Sequence, residues 1–386
     1  MEPKVRFKGF EGEWIYLPFS EIAERTSVSE QAGILPGVEF EDIVSGEGSF
    51  NKNIYQKDCH KFGKVFHKGD ILFGKLRPYL KNIILADFKG VAIGDFWILR
   101  SKDFDTEYLY TLINSDSFLD VANISSGSKM PRADWNLVST TKFIVTSNKE
   151  EQQSIGTYFR TLDAKLQAST KKVESLKKLK SASLVAMFPQ QGETTPKVRF
   201  KGFEGEWSTN NLGSIFAERI ESNENGEMLS VTMNNGIIRS SDNGRFDNSN
   251  SDKSKYKVVK IGDIAYNSMR MWQGASGVSQ YEGIVSPAYT VVTPSVDVDT
   301  DFFGYLFKTD DVIRLFKLNS QGLTSDNWNL KYPAFSRICV SYPKSKEEQQ
   351  SIATFFRSLD RKIALETARL EKLKQIKLAC LDKMFV

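Results

Sequence analysis

Histidine is nearly missing from this sequence: His60 and His67 are its only two, and the cysteines number three, Cys59, Cys339 and Cys380. A zinc site needs about four ligands at suitable spacing. The one conceivable group, Cys59 with His60 and His67, has no counterpart in the second half, so no metal is expected. Scattered, odd-numbered cysteines argue against a disulfide framework and for a reducing compartment. No apolar run is long enough to span a bilayer, so no membrane partner is expected. No charged-then-apolar leader opens the chain, and export is not expected. Neither a Walker-type glycine loop nor a GxSxG elbow occurs. The Asn-Pro-Pro-aromatic tetrad of amino-methyltransferases is missing, and the Glu-x-Lys of metal-dependent nucleases occurs only as Glu2-Pro3-Lys4. No active site is therefore expected. Charge of one sign is not in excess either, with 52 basic against 48 acidic residues and a net +4. Composition alone does not name nucleic acid as the partner.

What the sequence has is itself, twice. Pro3 to Trp14, PKVRFKGFEGEW, returns letter for letter as Pro196 to Trp207, 193 residues on. Lys149 to Phe188 returns without a gap as Lys346 to Phe385, 197 residues on, each copy headed by KEEQQSI. Inside these 40-residue stretches apolar residues recur at steps of four and three. Phe159, Leu162, Leu166, Val173 and Leu176 form one seam, and Phe356, Leu359, Ile363, Leu370 and Leu373 form its copy. That spacing is the heptad signature of a coiled coil. A helix of about 40 residues runs roughly 60 Å at about 1.5 Å per residue. The seam lapses coincide, Ser169 with Glu366 and Lys180 with Lys377. Two antiparallel rods are expected, because a folded segment must bring the chain back between them.

Between block and rod each half keeps landmarks in a varied background. Gly69-Asp70-Ile71 aligns with Gly262-Asp263-Ile264, Arg77 with Arg270, and Trp135-Asn136-Leu137 with Trp328-Asn329-Leu330, all at 193. Branched and aromatic runs predict strands in 64–85, 91–99, 228–239, 256–267 and 284–293, and helical spacing predicts helices over 106–124 and 301–318. The fold class is therefore mixed α/β in two tandem half-repeats. The expected domains are 1–148, a first globular domain; 149–190, a long helix and linker; 191–345, a second globular domain; and 346–386, a second long helix.

Binding is the chemistry left over. Lys75, Arg77, Tyr79 and Lys81 put cations beside an aromatic just after a strand, and Lys129 and Arg132 lie in a Gly-Ser loop. Such side chains neutralise phosphates, and Arg reads guanine through a bidentate contact. The corresponding second-half run holds Asn267, Ser268, Arg270, Met271, Trp272 and Gln273, and the loop after it Thr324, Ser325 and Asn327. Amides pair with adenine edges, and a Met or Trp can pack against bases. The bland alternatives are that Met271 and Trp272 are core, and that Arg77 and Arg270 persist for structural reasons.

PKVRFKGFEGEW opening each half, Leu212-Gly213-Ser214-Ile215 after its second copy, the GDI strands and KEEQQSI heading each rod together resemble the specificity subunit of type I restriction–modification systems. The resemblance covers essentially the whole chain. It departs where IYLPFSEI stands in the first half against STNNLGSI in the second. It implies a cytoplasmic bacterial or archaeal protein that is itself non-catalytic. Each globular segment is then a target recognition domain reading one half of a split site in double-stranded DNA. The paired helices set the spacer. Two modification (methyltransferase) subunits are the implied partners, followed by restriction (motor and nuclease) subunits. S-adenosylmethionine, ATP and Mg belong to those partners. Rod residues off the seam and the two identical blocks are the candidate docking surface; equally, Phe10 and Trp14, or Phe203 and Trp207, could simply pack each domain onto a rod. A fused restriction–methylation enzyme and a coiled-coil scaffold without DNA readout are the competing readings.

Overall fold

A computed structural model describes residues 3–33, 35–56, 60–124, 130–233, 235–243, 252–324 and 327–385. Two compact units divide the chain, Met1–Val173 with Glu366–Val386, and Glu174–Leu365. The division falls inside both long helices, Lys149–Met187 and Lys346–Met384, each of 39 residues. Each helix begins where a polar side chain caps free amides: Asn148 Oδ1 accepts from Glu150 and Glu151 N, and Ser345 Oγ from Glu348 N. Paired glutamates in each first turn suit the positive end of the helix dipole. Among the described residues no helix is long and apolar enough to cross a membrane.

In the first unit, continuous apolar runs build an antiparallel sheet in the order Ala23–Thr26, Phe96–Ser101, Ile71–Gly74, Ile83–Leu85, its central strands buried on both faces. A second sheet is ordered Ser29–Gln31, Phe62–Phe66, Gly90–Ala92, Gly37–Val38, with its last pair parallel. The expected helix over 106–124 is two helices, Thr106–Ile113 and Asp116–Asn123, because Ser115 caps the second through its hydroxyl. Ile15–Pro18 pairs with Lys142–Val145 and closes the lobe just before the long helix.

The second unit repeats this plan with the order Phe216–Glu218, Tyr289–Pro294, Ile264–Asn267, Ser276–Val278. Its strand registers copy those of the first at an offset of 193. Arg25 faces Leu99 as Glu218 faces Val292, and Lys64 faces Ala92 as Lys257 faces Val285. After the varied loop the offset becomes 197, since Ile15 faces Val145 as Ser208 faces Tyr342. This corrects the match of Trp135-Asn136-Leu137 to Trp328-Asn329-Leu330. Trp135 opens the helix Trp135–Thr140, whereas the equivalent helix of the second lobe starts at Tyr332. Four residues inserted earlier in the loop carry the like-lettered triplet out of register.

The repeated motifs are anchors. Arg6 makes two bonds to Glu151, Nε to Oε1 at 2.6 Å and Nη2 to Oε2 at 2.9 Å, and Trp14 Nε1 also donates to that buried carboxylate. Arg199, Glu348 and Trp207 repeat the arrangement in the second unit. The neighbouring Gln152 Oε1 accepts from Asp105 N, and Asp105 in turn caps the helix Thr106–Ile113; Gln349 and Asp299 do the same for Thr300–Leu306. Each lobe is also plugged by the end of a long helix. Phe385 packs on Trp14 and Tyr108, and Phe188 on Trp207 and Phe302. Of the two origins open for the identical blocks, packing accounts for Arg6, Trp14, Arg199 and Trp207.

Seam residues Phe159, Leu162, Val173, Phe356 and Leu359 are buried, while Leu166, Leu176, Ile363, Leu370 and Leu373 are half-buried. In the first unit Tyr158 meets Cys380, Asp163 pairs with Lys377 at 2.5 Å, and Lys172 pairs with Glu366. In the second, Lys180 pairs with Asp360 at 2.6 Å. In the first unit partner numbers fall as helix numbers rise, and in the second Phe188 meets Phe356 where Lys180 meets Asp360, so the packing is antiparallel in both. The two Asp–Lys pairs are images of each other at 197, which accounts for the polar seam positions Lys180 and Lys377.

Candidate nucleic-acid interface

In the first lobe the strand Ile71–Gly74 runs out into Lys75 and Leu76, and there it meets the distant loop. Lys75 O accepts from Ala133 N and Arg77 N donates to Pro131 O, with Leu76 bridged to Arg132. Sequence-separated candidates Lys75, Arg77 and Arg132 therefore share one short ribbon. Asp95 sits between two of them, 3.3 Å from Lys75 Nζ and 3.0 Å from Arg132 Nε. Burial pushes the Asp95 carboxyl up, but hydrogen bonds and charge from Arg132 and Lys75 outweigh it and hold it below its ordinary value.

Arg77 and Lys81 flank the turn Pro78–Leu80 in left-handed backbone, at φ 51° and 52°. Non-glycine residues seldom adopt it, at about 1–2 kcal/mol each. The strain is held by Leu80 N donating to Arg77 O and by the bond from Arg77 N to Pro131 O. Arg77 is exposed, and its guanidinium makes no hydrogen bond or ion pair among the described residues. Tyr79 is exposed too, whereas Lys81 is engaged by Asp116 at 3.6 Å. Lys129 lies outside the described residues.

The second lobe repeats the exit with other chemistry. Ser268 O accepts from Leu330 N, as Lys75 O does from Ala133 N. Arg270, the counterpart of Arg77, is likewise exposed and without an ion pair among the described residues. Among the described residues neither guanidinium of the pair makes a hydrogen bond or ion pair that would tie it to the fold. Met271 and Ser268 leave the contact set: Met271 is fully buried in the core, and Ser268 is buried with its hydroxyl on Ala288 O and Thr290. Trp272 is half-buried, edge-on to Trp328 at 5.2 Å, with its Nε1 on Met269 O. Asn267 spends its Oδ1 on Met269 N, Gln273 is half-buried, and Thr324 and Asn327 are exposed neighbours. Ser325 lies outside the described residues.

Sequence reasoning missed three cations. Arg25 lies over the Trp135 ring at 4.8 Å, and Lys64 donates to Phe96 O beside Asp95; no local pattern marks either. The third, Lys308, is inserted beneath the second lobe's exit, where its ammonium donates to Gly274 O and Ser276 O, with Met233 O at 3.4 Å. Burial, aided by the charge of Lys180, pushes Lys308 down from 10.5 to about 8. Its folded value lies below the unfolded one, so it destabilises the fold at pH below about 8 and that cost fades as pH rises toward 10.5. The stability difference between wild type and Lys308→Met should therefore shift in favour of wild type by about 1–3 kcal/mol from pH 7.5 to 10. A difference that stays flat across that range in denaturant titrations rejects this assignment.

Cys59 lies outside the described residues, and no group of three or more His, Cys, Asp or Glu gathers among those described.

Two copies of one α/β lobe, each followed by a long helix and fastened to it by the same side chains, define a tandem-repeat protein that carries a varied surface on a constant frame. Residues 205–375 match the type I restriction modification DNA specificity domain. The type I restriction enzyme EcoDI specificity subunit of Escherichia coli is 25% identical over 125 residues, 31% of this chain and 28% of that subunit, so the match spans under a third of the curated relative. The S subunit of a type I restriction–modification system from M. genitalium superposes with a TM-score of 0.63 at 16% identity, over 100% of this chain and 99% of that one. A chain from a structure of type I R-M complex assembly and conformational transition gives 0.51 at 18%, over 97% and 98%. At such identities the structural likeness is one of fold. Residues 205–375 thus match the specificity-domain family of type I restriction–modification systems, and the chain as a whole has the fold of the S subunits on which it superposes.

Proposed function

We propose that this chain is the DNA sequence-recognition subunit of a type I complex, each lobe reading one half of a bipartite, asymmetric site. One observation carries the reading: the strand exits of the two lobes share register, the backbone bond from the distant loop and an exposed arginine, Arg77 or Arg270, but differ around it, Lys75 against a buried Ser268 and Tyr79 against Trp272. A constant frame with unlike tips is what two unlike half-sites require. Phosphate contacts position such a protein and base-edge contacts specify the sequence. The long helices set the spacer and dock two methyltransferase subunits. Catalysis, with S-adenosylmethionine, ATP and Mg, belongs to those and to the restriction subunits, and the assembly works in the cytoplasm.

Adenine-methylation mapping in cells carrying this chain with its partners should return one bipartite motif. Exchange of residues 15–148 for the corresponding segment of another specificity subunit should alter one half of that motif and leave the other and the spacer unchanged. A continuous motif, or a change in both halves, sinks the reading.

A further inference from the structure

Lys64 is a half-buried ammonium whose hydrogen-bond partner is a neutral carbonyl, Phe96 O. Burial first, then the charges of Lys75 and Arg25, push it below its ordinary value, with only Asp95 opposing. Arg25 reaches the same place from another strand, its guanidinium lying on the Trp135 face rather than on a carboxylate. Neither Arg25 nor Lys64 makes an ion pair among the described residues. With Lys75 and Arg132 the cluster holds four cations and one anion, Asp95, which Lys75 and Arg132 already share.

The same place in the second lobe is neutral. By strand register Glu218 stands for Arg25 and Lys257 for Lys64, and these two pair with each other at 3.3 Å. Ser268 stands for Lys75 and Ala288 for Asp95 at the 193 offset, and Asn329 for Arg132 at 197. Four cations and one anion thus become one of each.

We propose that Arg25, Lys64, Lys75 and Arg132 form a seat for one phosphodiester group of the DNA backbone, and that the second lobe has none in the equivalent position. The proposal rests on the DNA-recognition reading and adds a division of labour to it. Like charges held together in a partly buried place destabilise one another until an anion arrives. A phosphodiester accepts from guanidinium and ammonium donors at once. The Trp135 ring holds the Arg25 guanidinium over its face without accepting a hydrogen bond from an N–H group. Grip on the backbone therefore sits mainly in the first lobe, and the second reads through Arg270 and neutral groups.

The test uses the full chain and a fluorescein-labelled 40-bp duplex of arbitrary sequence, with anisotropy followed from low to high NaCl. The slope of log K against log salt is about −0.9 per phosphate neutralised. The Arg25→Gln/Lys64→Gln double variant should flatten it by about 0.9, and Lys257→Gln should leave it unchanged. Glu218→Arg, which plants the missing cation in the second lobe, should steepen it by up to about 0.9 and does not depend on the first lobe tolerating substitution. Equal flattening by Lys257→Gln, or a folded double variant with the wild-type slope, overturns the seat. A wild-type chain without salt-dependent duplex affinity overturns direct DNA binding itself, a separate failure.

Discussion

Arg199→Ala should destabilise the second unit by about 3–5 kcal/mol, the cost of leaving a buried carboxylate without its charge partner. Glu348 is almost wholly buried, and once Arg199 is gone its remaining side-chain donor among the described residues is Trp207 Nε1 at 3.3 Å. The matching change Arg6→Ala should cost the first unit less. There Thr146 Oγ1 still donates to Glu151 at 2.6 Å, a contact absent from the second copy, where Pro343 holds that place at 197. Hydrogen exchange resolved by unit separates the two losses. Replacing both partners, Arg199→Met with Glu348→Leu, should recover most of the loss, since an apolar pair of similar volume carries no stranded charge. If Arg199→Ala costs under about 1 kcal/mol, the carboxylate is not the fastening point it is taken to be.

Arg77→Gly and Arg270→Ala should each weaken specific DNA binding by roughly 5- to 150-fold, or about 1–3 kcal/mol for a lost bidentate base contact. Each should relax the mapped motif in its own half only. Stability should respond differently. Neither guanidinium is tied to the protein among the described residues, so unfolding should be unaffected by Arg270→Ala. Arg77→Gly places glycine where φ is 51°, so its stability should hold or rise. A variant that unfolds earlier while binding DNA as before would mark the arginine as structural.

The long helices were legible because a repeat without gaps fixes both their starts, at Lys149 and Lys346. The seam was legible in period but not in depth. Phe159 and Phe356 sink fully because each lies where a lobe covers the helix, while Leu370 and Leu373 keep one side toward solvent. The role of KEEQQSI was hidden, because its buried Glu and Gln look like an ordinary polar helix start. Only the distant Arg6 and Asp105 reveal them as anchors. Met271 was misplaced because a turn beside apolar Met269 and Trp272 gives no periodicity from which to tell inside from outside. The Arg25–Lys64 cluster was beyond reach, since three separate strands bring it together. The WNL triplets misled in the opposite way, being alike in letters but four residues apart in space.

Ser169 and Glu366 occupy the same position of the two copies, and within the first unit they lie beside each other, with Lys172 bonded to the Glu366 carboxylate. A chain folded from one copy alone and doubled by self-association would set such a residue against its own twin. Serine can tolerate its twin, but two glutamates at that spot would repel. Joining both copies in one polypeptide is what lets unlike residues meet there, so a protein cut down to its second half should resist dimerising more than one cut down to its first.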